Sequence, residues 1–582
     1  MTTNARSRGA ASTPIAGLIL VLAGAAAIAL AGWGRPAAAS GPRSGAPASR
    51  GAIDDPRQQG RPAVPSRSGD AESLRQAVRE YRRRHEVQIV RELAAFVALP
   101  NVASDLAGIG RNAEALAAML LRRGIEARLL TAGEAAATGA PPGLPPVVYG
   151  ELRVPGARHT LVLYAHYDGQ PVDPAEWRSP PWQPVLRTGP LPSSPRDVDL
   201  ASLADTAAGP GPLDGEWRLF GRAASDDKAP IVAMLAALDA VRAAGSAPAI
   251  NIKFFFEGEE EAGSPHLAAI LARHRQLLGA DAWLLADGPV HASRRPQVCF
   301  GARGVVPLGI TAYGPVRALH SGHYGNWSPN PAALLVELLA GMRGPDGAIR
   351  VAGFADQVRP LSAAERQAIA AMPPAEEELR RELGLAASER PGERIEDALM
   401  RPALNLDGLR SAQVGAQARN AIPTEATAAI DFRLVPDQTP AKVRASVEEH
   451  LRRAGYTLVD GEPDPAARRA HPRPVRLAWG AGYPGARTAM DLPVSRAVLA
   501  AADEAAGAPV VRMPMLGGSI PMYLFTEATA APVILLPTVN HDNSQHAADE
   551  NLRLQNLWDG IELFANLYTR LEVHWAAVPA RR

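Results

Sequence analysis

The chain has 582 residues, and its 61 basic residues (Lys and Arg) almost balance its 60 acidic residues, so the formal charge is +1. This balance gives no electrostatic reason to expect nucleic acid or an anionic membrane as the main partner. With 47% hydrophobic and 21% charged residues, the composition is that of a globular protein, and the length suggests more than one domain. The single cysteine, Cys299, excludes an intramolecular disulfide and a cysteine-cluster metal site.

The first 70 residues have the pattern of an export signal followed by a linker. Basic residues precede an apolar stretch at 15–31, and a small-residue run that ends in Ala39 fits signal-peptide cleavage, which predicts a signal peptide over 1–39 and a periplasmic or secreted protein. The alternative is an uncleaved membrane anchor, because the apolar stretch is close to the minimum length that spans a bilayer. Residues 40–70 are rich in Gly, Pro, Ser and Arg and are predicted to form a disordered linker.

Hydrophobic periodicity predicts helices and strands that alternate along the first half of the chain. The predicted helices are 71–98, 112–123, 229–243 and 266–278, and the predicted strands are 160–165, 249–256 and 282–286. Such an alternation predicts an α/β domain in which helices flank a mixed sheet.

The pattern changes after Gly304 and changes back after about Arg487. Predicted strands at 305–313, 426–434 and 456–459, with helices at 331–342, 375–385 and 440–454, suit a small α+β unit of the ferredoxin-like type. Strand and helix signals then return at 495–505, 510–513, 533–536 and 557–571. We therefore expect a discontinuous catalytic domain (71–303 and 488–577) with an inserted lid domain (304–487).

Side chains that can bind metal ions follow three of the predicted strands. His166 and Asp168 follow the first strand, an acidic run at 259–261 follows the second, and Asp287 follows the third. Because active sites of open α/β sheets form outside the carboxyl ends of the strands, these side chains are expected at one edge of the sheet.

Two further segments contribute residues of the same kind. Asp226 and Asp227 precede a predicted helix, and His546 lies in the returning part of the chain. Imidazole and carboxylate ligands together suit Zn²⁺ or Mn²⁺ rather than Ca²⁺, which prefers oxygen ligands only. Each signal alone has an ordinary explanation, such as a solvated acidic turn or a helix cap at Asp226. Their coincidence at one sheet edge favours a metal site.

Four motifs carry a family resemblance that extends from about residue 75 to the C-terminus. They are His166-Tyr167-Asp168-Gly169-Gln170-Pro171-Val172, Gly221-Arg222-Ala223-Ala224-Ser225-Asp226-Asp227-Lys228, Glu257-Gly258-Glu259-Glu260-Glu261-Ala262-Gly263-Ser264 and the late segment around His546. In this order they resemble the co-catalytic di-metal peptidase family, which holds carnosine dipeptidases, bacterial glutamate carboxypeptidase, aminoacylase and succinyl-diaminopimelate desuccinylase. The Gln-Pro pair and the run from Gly517 to Pro521 look most like the dipeptidase branch.

The resemblance implies two divalent metal ions, with Zn²⁺ as the first choice and Mn²⁺ as the alternative. It implies that Asp226 bridges the two ions, that His166 and Asp287 complete one site, and that Glu261 and His546 complete the other.

The resemblance also implies roles for residues that do not bind metal. Glu260 matches the general base, and Asp168 would orient His166 through the second ring nitrogen. His320 matches a histidine that in family members reaches the active site of the partner subunit, which implies a homodimer through the lid domain.

Arg433 and the backbone of Gly518 and Ser519 match groups that hold the free carboxylate of the substrate.

Two departures from the family pattern stand out. Ala223 replaces the usual second glycine of its motif, although alanine adopts a positive φ less readily. The segment 188–216 is inserted between two metal motifs, and it is expected to form a surface loop near the mouth of the cleft.

These expectations lead to three hypotheses. The first is an exported dipeptidase or short-peptide carboxypeptidase, and the second is an N-acyl-amino-acid amidohydrolase, so the expected substrate is a peptide or an acyl-amino acid. The third is an inactive peptide-binding relative, against which the complete set of ligands and the base count. No basic stripe or motif indicates a nucleic-acid-binding protein.

Overall fold

The computed structural model describes residues 68–133, 144–203 and 213–578. The predicted signal peptide (1–39) and nearly all of the predicted linker (40–70) lie outside the described residues. Within the described part of the chain, no helix has both the length and the apolar character needed to cross a membrane.

Nine of the α-helices of the described residues overlap predicted helices, and five, each of eight residues or fewer, were not predicted. Their bounds are α1 (Ser68–Val97), α2 (Leu106–Arg122), α3 (Lys228–Ala243), α4 (Leu267–Arg273), α5 (Ser321–Tyr324), α6 (Pro331–Met342), α7 (Ala363–Ala370), α8 (Glu376–Glu382), α9 (Ile395–Leu399), α10 (Pro440–Arg453), α11 (Pro465–Ala470), α12 (Pro493–Ala506), α13 (Met522–Thr529) and α14 (Leu554–Ala577).

The β-strands include several short ones that the periodicity did not predict. Their bounds are β1 (Ala127–Leu130), β2 (Val147–Leu152), β3 (Thr160–His166), β4 (Val185–Arg187), β5 (Asp197–Val198), β6 (Arg218–Phe220), β7 (Asn251–Glu257), β8 (Ala282–Leu285), β9 (Gln297–Cys299), β10 (Gly301–Tyr313), β11 (Leu319–His320), β12 (Ala403–Arg410), β13 (Ala421–Ile422), β14 (Glu425–Leu434), β15 (Thr457–Leu458), β16 (Pro474–Trp479), β17 (Ala486–Arg487), β18 (Val511–Met513), β19 (Leu516–Ser519), β20 (Val533–Leu535) and β21 (Asn551–Arg553).

The largest sheet has the strand order β1-β2-β7-β3-β8-β20-β9-β18, and its central strands β7, β3, β8 and β20 are parallel neighbours. Along β3, Leu161, Leu163 and Ala165 join one hydrophobic cluster, whereas Val162 and Tyr164 join another. Because successive side chains of a strand point to opposite faces, both faces of this sheet are buried. Helices α1, α3, α12 and α14 contribute to the first cluster, and α4 and α13 contribute to the second. The predicted mixed α/β class is confirmed.

Several predicted helices differ in length from the structure, among them α2 and α4. Helix α2 begins at Leu106, six residues before the predicted start, because the Asp105 side chain caps it by accepting the N–H of Gly108. The glycines at 108 and 110 weaken the helical pattern there, since glycine has a low helix propensity. Helix α4 ends at Arg273, five residues before the predicted end.

The second sheet has the strand order β12-β14-β10-β16-β15, with β17 and β19 pairing beside β10. Helices α6 and α10 contribute to a cluster with residues of β10 and β14. The sequence of α10 explains both its start and its packing. Thr439 caps the helix and Pro440 occupies its first turn. Val443, Val447 and Leu451 recur every fourth residue and form its buried face. Most strands of this sheet lie in the segment predicted as the inserted domain, but β19 lies outside it, and the predicted boundary at residue 304 falls within the long strand β10.

A small sheet with the order β21-β6-β4-β5 joins the returning chain to the first half. In it, β6 pairs with β21 so that Phe220 faces Asn551. Residues 204–212 of the inserted segment 188–216 lie outside the described residues, and its described part is not all loop, because it contains β5, which adds to the edge of this sheet. Arg91 of α1 donates hydrogen bonds to the carbonyls of Leu200 and Leu203, which hold this segment against the helix.

Candidate metal centre

Three neighbouring parallel strands of the large sheet end at the same place. Strand β3 ends at His166, β7 ends at Glu257 beside it, and β8 ends two residues before Asp287. The small sheet adds two more segments, because Asp226 follows β6 and His546 precedes β21. Strand pairing thus brings together residues from five separate parts of the sequence.

Two groups of ligand-type side chains lie at this edge and share one carboxylate. His166, Asp226 and Asp287 form the first group, and Asp226, Glu261 and His546 form the second, with the ligand atoms of each group within 4.8 Å of one another. His166 Nε2 lies 3.0 Å from Oδ1 of Asp226, and His546 Nε2 lies 3.1 Å from Oδ2. The two oxygens of Asp226 therefore face different histidines, as a bridging carboxylate requires.

The donor atoms fit two divalent cations. Oδ2 of Asp226 is buried and has no aligned hydrogen-bond donor among the described residues, although His546 Nε2 is near. Burial and the negative charge of Asp226 raise the pKa of Asp287 to about 6 and the pKa of Glu261 to about 7. Such crowding of buried carboxylates is costly unless positive charge compensates it. A set of two imidazoles and three carboxylates suits Zn²⁺ or Mn²⁺.

Asp168 belongs to neither group of ligand-type side chains and is fully buried. Its carbonyl and carboxylate oxygens lie 3.3 and 3.4 Å from Nδ1 of His166, the ring nitrogen that points away from Asp226. Its carboxylate also accepts the backbone N–H groups of Glu260 (3.1 Å) and Glu261 (3.0 Å). Asp168 thus contacts the residue it was predicted to orient and, in addition, fixes the turn that carries Glu260 and Glu261.

Glu260 begins the short turn after β7 and belongs to neither ligand group. Burial, together with the negative charges of Asp287 and Glu261, raises the pKa of Glu260 well above its ordinary value, although the nearby His166 acts in the opposite direction. A carboxyl group in such surroundings binds a proton more readily than one in water, which is the property a general base needs.

Sequence reasoning missed two polar residues that hold the ligands. Gln170 donates its side-chain amide to Glu261 Oε2 at 2.7 Å. Glu550 is completely buried and accepts hydrogen bonds from the Arg222 side chain and from backbone N–H groups at 223, 225 and 226. Gln170 lies inside a quoted motif and Glu550 lies four residues after His546, but their spacing alone did not indicate these contacts.

Ala223 has a φ of 63°, so the unusual alanine in this motif does adopt the left-handed conformation that glycine usually supplies. Two hydrogen bonds hold the backbone of Ala223 in this conformation. The N–H of Ala223 donates to Oε2 of Glu550 at 3.0 Å, and the carbonyl of Ala223 accepts the N–H of Lys228. The surrounding hydrogen bonds offset the cost that a side chain adds in this conformation.

The predicted carboxylate-binding residues lie close together. Nη1 of Arg433 donates to Oγ of Ser519 at 2.9 Å, and Nε of Arg433 donates to Asp431. Gly518 is exposed in β19, which pairs in parallel with β10. Tyr483, which no sequence motif indicated, donates its hydroxyl to the carbonyl of Ser519 at 3.0 Å.

His320 does not join the metal-ligand groups of its own chain. It is exposed at the end of β11, where its Nδ1 accepts the N–H of Gly322 and its ring lies 4.5 Å from the ring of His323. The structure therefore leaves its side chain on the surface.

Comparisons with known proteins agree with this geometry. The model of peptidase family M20/M25/M40 matches residues 203–570, more than half of the chain. The Cys-Gly metallodipeptidase dug1 of Schizosaccharomyces pombe is 25% identical over 486 residues, covering 82% of this chain and 94% of its own. The β-Ala-His dipeptidase of Homo sapiens is 25% identical over 455 residues, covering 74% and 78% of the two chains.

A solved structure has the same fold. The M20 family metallo-carboxypeptidase of Sulfolobus solfataricus superposes with a TM-score of 0.66 at 26% identity, covering 83% of this chain and 99% of that chain. The resemblance inferred from the four motifs is confirmed, and the chain is a metallopeptidase that belongs to peptidase family M20/M25/M40.

Proposed function

We propose that this metallopeptidase is an exported dipeptidase, which cleaves the amide bond of dipeptides or short peptides that have a free C-terminal carboxylate. The observation that carries the proposal is the pair of ligand groups that share Asp226, with Glu260 beside them. The names of the dipeptidase relatives from Schizosaccharomyces pombe and Homo sapiens support dipeptides as the substrate class.

In the proposed reaction, the bound ions and the side chains of the protein have different roles. His166, Asp226, Glu261, Asp287 and His546 hold the two divalent ions, Zn²⁺ or Mn²⁺. When bound, the ions polarise the scissile carbonyl and lower the pKa of the attacking water toward neutrality.

Glu260 moves the proton in this mechanism. Its carboxylate accepts a proton from the attacking water and then delivers it to the leaving amine. Asp168 fixes the backbone of Glu260 and also contacts His166, so one carboxylate holds the base and a metal ligand in fixed positions relative to each other.

Arg433 supplies the specificity for a free C-terminus. Its guanidinium can bind a carboxylate with two parallel hydrogen bonds. Ser519 lies next to it, and the exposed backbone of Gly518 offers a further donor. Because these groups are separate from the metal ligands, they define where the end of the substrate lies relative to the scissile bond.

His320 acts in a homodimer in this proposal, and residues 304–487 form the lid that brings it to the partner's site. Its exposure on β11 is consistent with such a role. Strand β12, at the edge of the second sheet, has exposed apolar residues, with Leu406 52% and Leu409 60% exposed. An apolar edge strand can pair with another chain, so this edge is the proposed contact between copies. His320 then hydrogen-bonds the developing oxyanion.

Export follows from the N-terminal signal at 1–39, with an uncleaved anchor as the alternative. Expression of the full chain, followed by fractionation and N-terminal sequencing, tests this part. A mature N-terminus after Ala39 in the periplasm or medium is the expected result. A full-length chain in the membrane fraction would support the anchor instead.

The activity is tested with purified protein, assayed with and without metal. A panel of dipeptides is compared with N-acyl-amino acids that have the same C-terminal residue. Faster hydrolysis of the dipeptides is expected, and a chelator should abolish it until Zn²⁺ or Mn²⁺ is restored. Preference for acyl substrates would make the chain a deacylase. Two bound ions without hydrolysis of either class would make it an inactive peptide-binding relative, and full activity without metal would refute the metal mechanism.

A further inference from the structure

Tyr483 lies between β16 and β17, and its backbone is fixed against β10. Its N–H donates to the carbonyl of Val305 at 2.9 Å, and the N–H of Val305 donates to its carbonyl at 3.1 Å. On the other side, Val305 faces Arg433 of β14. Residues directly opposite in antiparallel strands place their side chains on the same face, so the side chains of Tyr483 and Arg433 share a face. A Cβ at Gly304 would lie 2.3 Å from the carbonyl oxygen of Tyr483, so only glycine permits this close approach.

Ser519 is held from two directions by these residues. The Tyr483 hydroxyl donates to its backbone carbonyl at 3.0 Å, and Arg433 donates to its Oγ at 2.9 Å. The strand that contains Ser519 also pairs with β10, where Arg303 is its partner. The hydroxyl of Tyr483 therefore fixes the backbone at the point where Ser519 meets the arginine.

The charged groups that act on Tyr483 include Glu260, the proposed base, and Arg433, the proposed carboxylate-binding residue. Burial and the negative charge of Glu260 raise the pKa of Tyr483 to about 12, while the positive charge of Arg433 opposes them. The hydroxyl thus stays protonated and remains a donor at neutral pH. Its ring stacks on Tyr523, with centroids 6.2 Å apart and planes at 19°.

We infer that Tyr483 is a positioning residue for the C-terminal carboxylate of the substrate, because its hydroxyl fixes Ser519 and, through Ser519, the orientation of Arg433. The inference rests on the proposed function, since it assumes that Arg433 and Ser519 bind that carboxylate. No bond is made or broken by Tyr483, so its contribution is to binding and not to the chemical step.

The test compares a dipeptide with the same dipeptide amidated at its C-terminus, using the metal-loaded wild-type protein and Tyr483→Phe. The substitution removes only the hydroxyl. For the free acid we expect KM to rise about five- to tenfold, the value of one hydrogen bond, with kcat changed less than about twofold. For the amide we expect no change in kcat/KM, because the amide does not use the carboxylate group.

Tyr523→Phe is the matched control, because Tyr523 belongs to the same stacked pair and its hydroxyl does not contact Ser519. Its kinetic constants should equal those of the wild type. A second check places Tyr483→Phe in a Ser519→Ala background, where its effect on KM should largely disappear, since the two residues act as a unit.

Distinct outcomes separate this inference from the proposed function. If the wild type prefers the free acid but Tyr483→Phe weakens acid and amide equally, lowers kcat alone, or adds fully to Ser519→Ala, the inference is refuted and the proposed function stands. If the wild type does not distinguish the acid from the amide, the proposed carboxylate specificity fails, and the role of Tyr483 fails with it.

Discussion

Glu550 is a buried carboxylate on which the loop before Asp226 depends. Oε1 accepts the N–H groups of Ser225 and Asp226 and the Ser225 hydroxyl, and Oε2 accepts the N–H of Ala223 and the guanidinium of Arg222. Every partner is a donor, so the site requires an acceptor at both oxygens. One side chain therefore sets the backbone that presents the shared ligand.

Glu550→Gln should weaken metal binding while preserving the side-chain shape. Whichever way its amide is turned, an NH₂ group faces donors, and the loop must move. We expect about a 10- to 100-fold loss of metal affinity, as is typical when a residue behind a ligand is replaced. Metal titration of the purified protein measures it. Glu527→Gln, at an exposed position of α13, is the control and should bind metal normally. Unchanged affinity in Glu550→Gln would contradict this role.

Glu260→Gln should separate chemistry from metal binding. Because Glu260 is in neither ligand group, the variant should retain two ions, yet turnover should fall about 10²- to 10⁴-fold with the loss of the base. Metal content and kcat are measured on the same sample. Glu261→Gln, one residue away, should instead lose metal. A near-normal kcat in Glu260→Gln would remove this residue from the mechanism.

The convergence of the candidate ligands was predictable from sequence, whereas the residues that support them were not. His166 ends one buried strand and Asp287 follows another, and the rule that strand ends converge in a parallel sheet places both at one edge. The contact between Glu550 and Asp226 joins residues 324 apart in the chain, and the contact between Tyr483 and Ser519 depends on two distant segments that each pair with β10. No local pattern encodes such contacts.

At the scale of elements, hydrophobic runs predicted the long strands and missed the short ones. Strands such as β3 were predicted because both faces are buried and the run is continuous. Strands β5 and β6 have two and three residues, too few for any period to show. The small sheet was missed for that reason, although it brings the segments of Asp226 and His546 together.

Next to this small sheet, the carboxylate of Asp542 forms salt bridges with arginines of two strands. It lies 2.6 Å from Arg218 of β6 and 2.9 Å from Arg553 of β21, and both arginine side chains are only 3% exposed. Burial acts to raise the pKa of Asp542, but hydrogen bonds from Arg218 and Asn540 and the positive charges outweigh it and hold this pKa well below its ordinary value.

Asp542→Asn should therefore destabilise the fold in a pH-dependent way. A carboxyl whose pKa is lower in the folded chain stabilises the fold above its unfolded pKa, about 4, and this stabilisation is lost as the pH falls through the folded pKa. At pH 7 we expect a loss of about 2 kcal/mol in the free energy of unfolding, a value reduced for the partial exposure of Asp542. The difference from the wild type should shrink toward pH 3.

Urea unfolding at several pH values measures this effect. Asp460→Asn, at an exposed position, is the control and should leave the free energy of unfolding unchanged. A pH-independent loss in Asp542→Asn would show that the charge of Asp542 is not the cause.

At the scale of the whole molecule, the proposed homodimer predicts complementation between inactive variants. His320→Ala and Glu260→Gln are each expected to be nearly inactive. If His320 serves the partner's site, a mixed dimer has one site with both residues intact, so mixing equal amounts should restore about a quarter of wild-type activity. Activity assays after exchange of subunits measure it.

Leu409→Asp checks the contact itself, because it places a charge on the exposed edge strand β12. Sedimentation should show that it turns a dimer into a monomer, while Leu383→Asp, at a residue 63% exposed outside this edge, should remain a dimer. A wild-type monomer, or mixtures without recovered activity, would refute the role of His320 in the partner.

The pairing of β6 with β21 also bears on when the enzyme becomes competent during its synthesis. The chain leaves the ribosome from its N-terminus, so Asp226 emerges long before His546 and Glu550. Until those last two have emerged, the second ligand group lacks a member and the shared carboxylate lacks its support. The second ligand group of a nascent chain is thus incomplete until the segment around His546 has emerged and β21 has paired with β6.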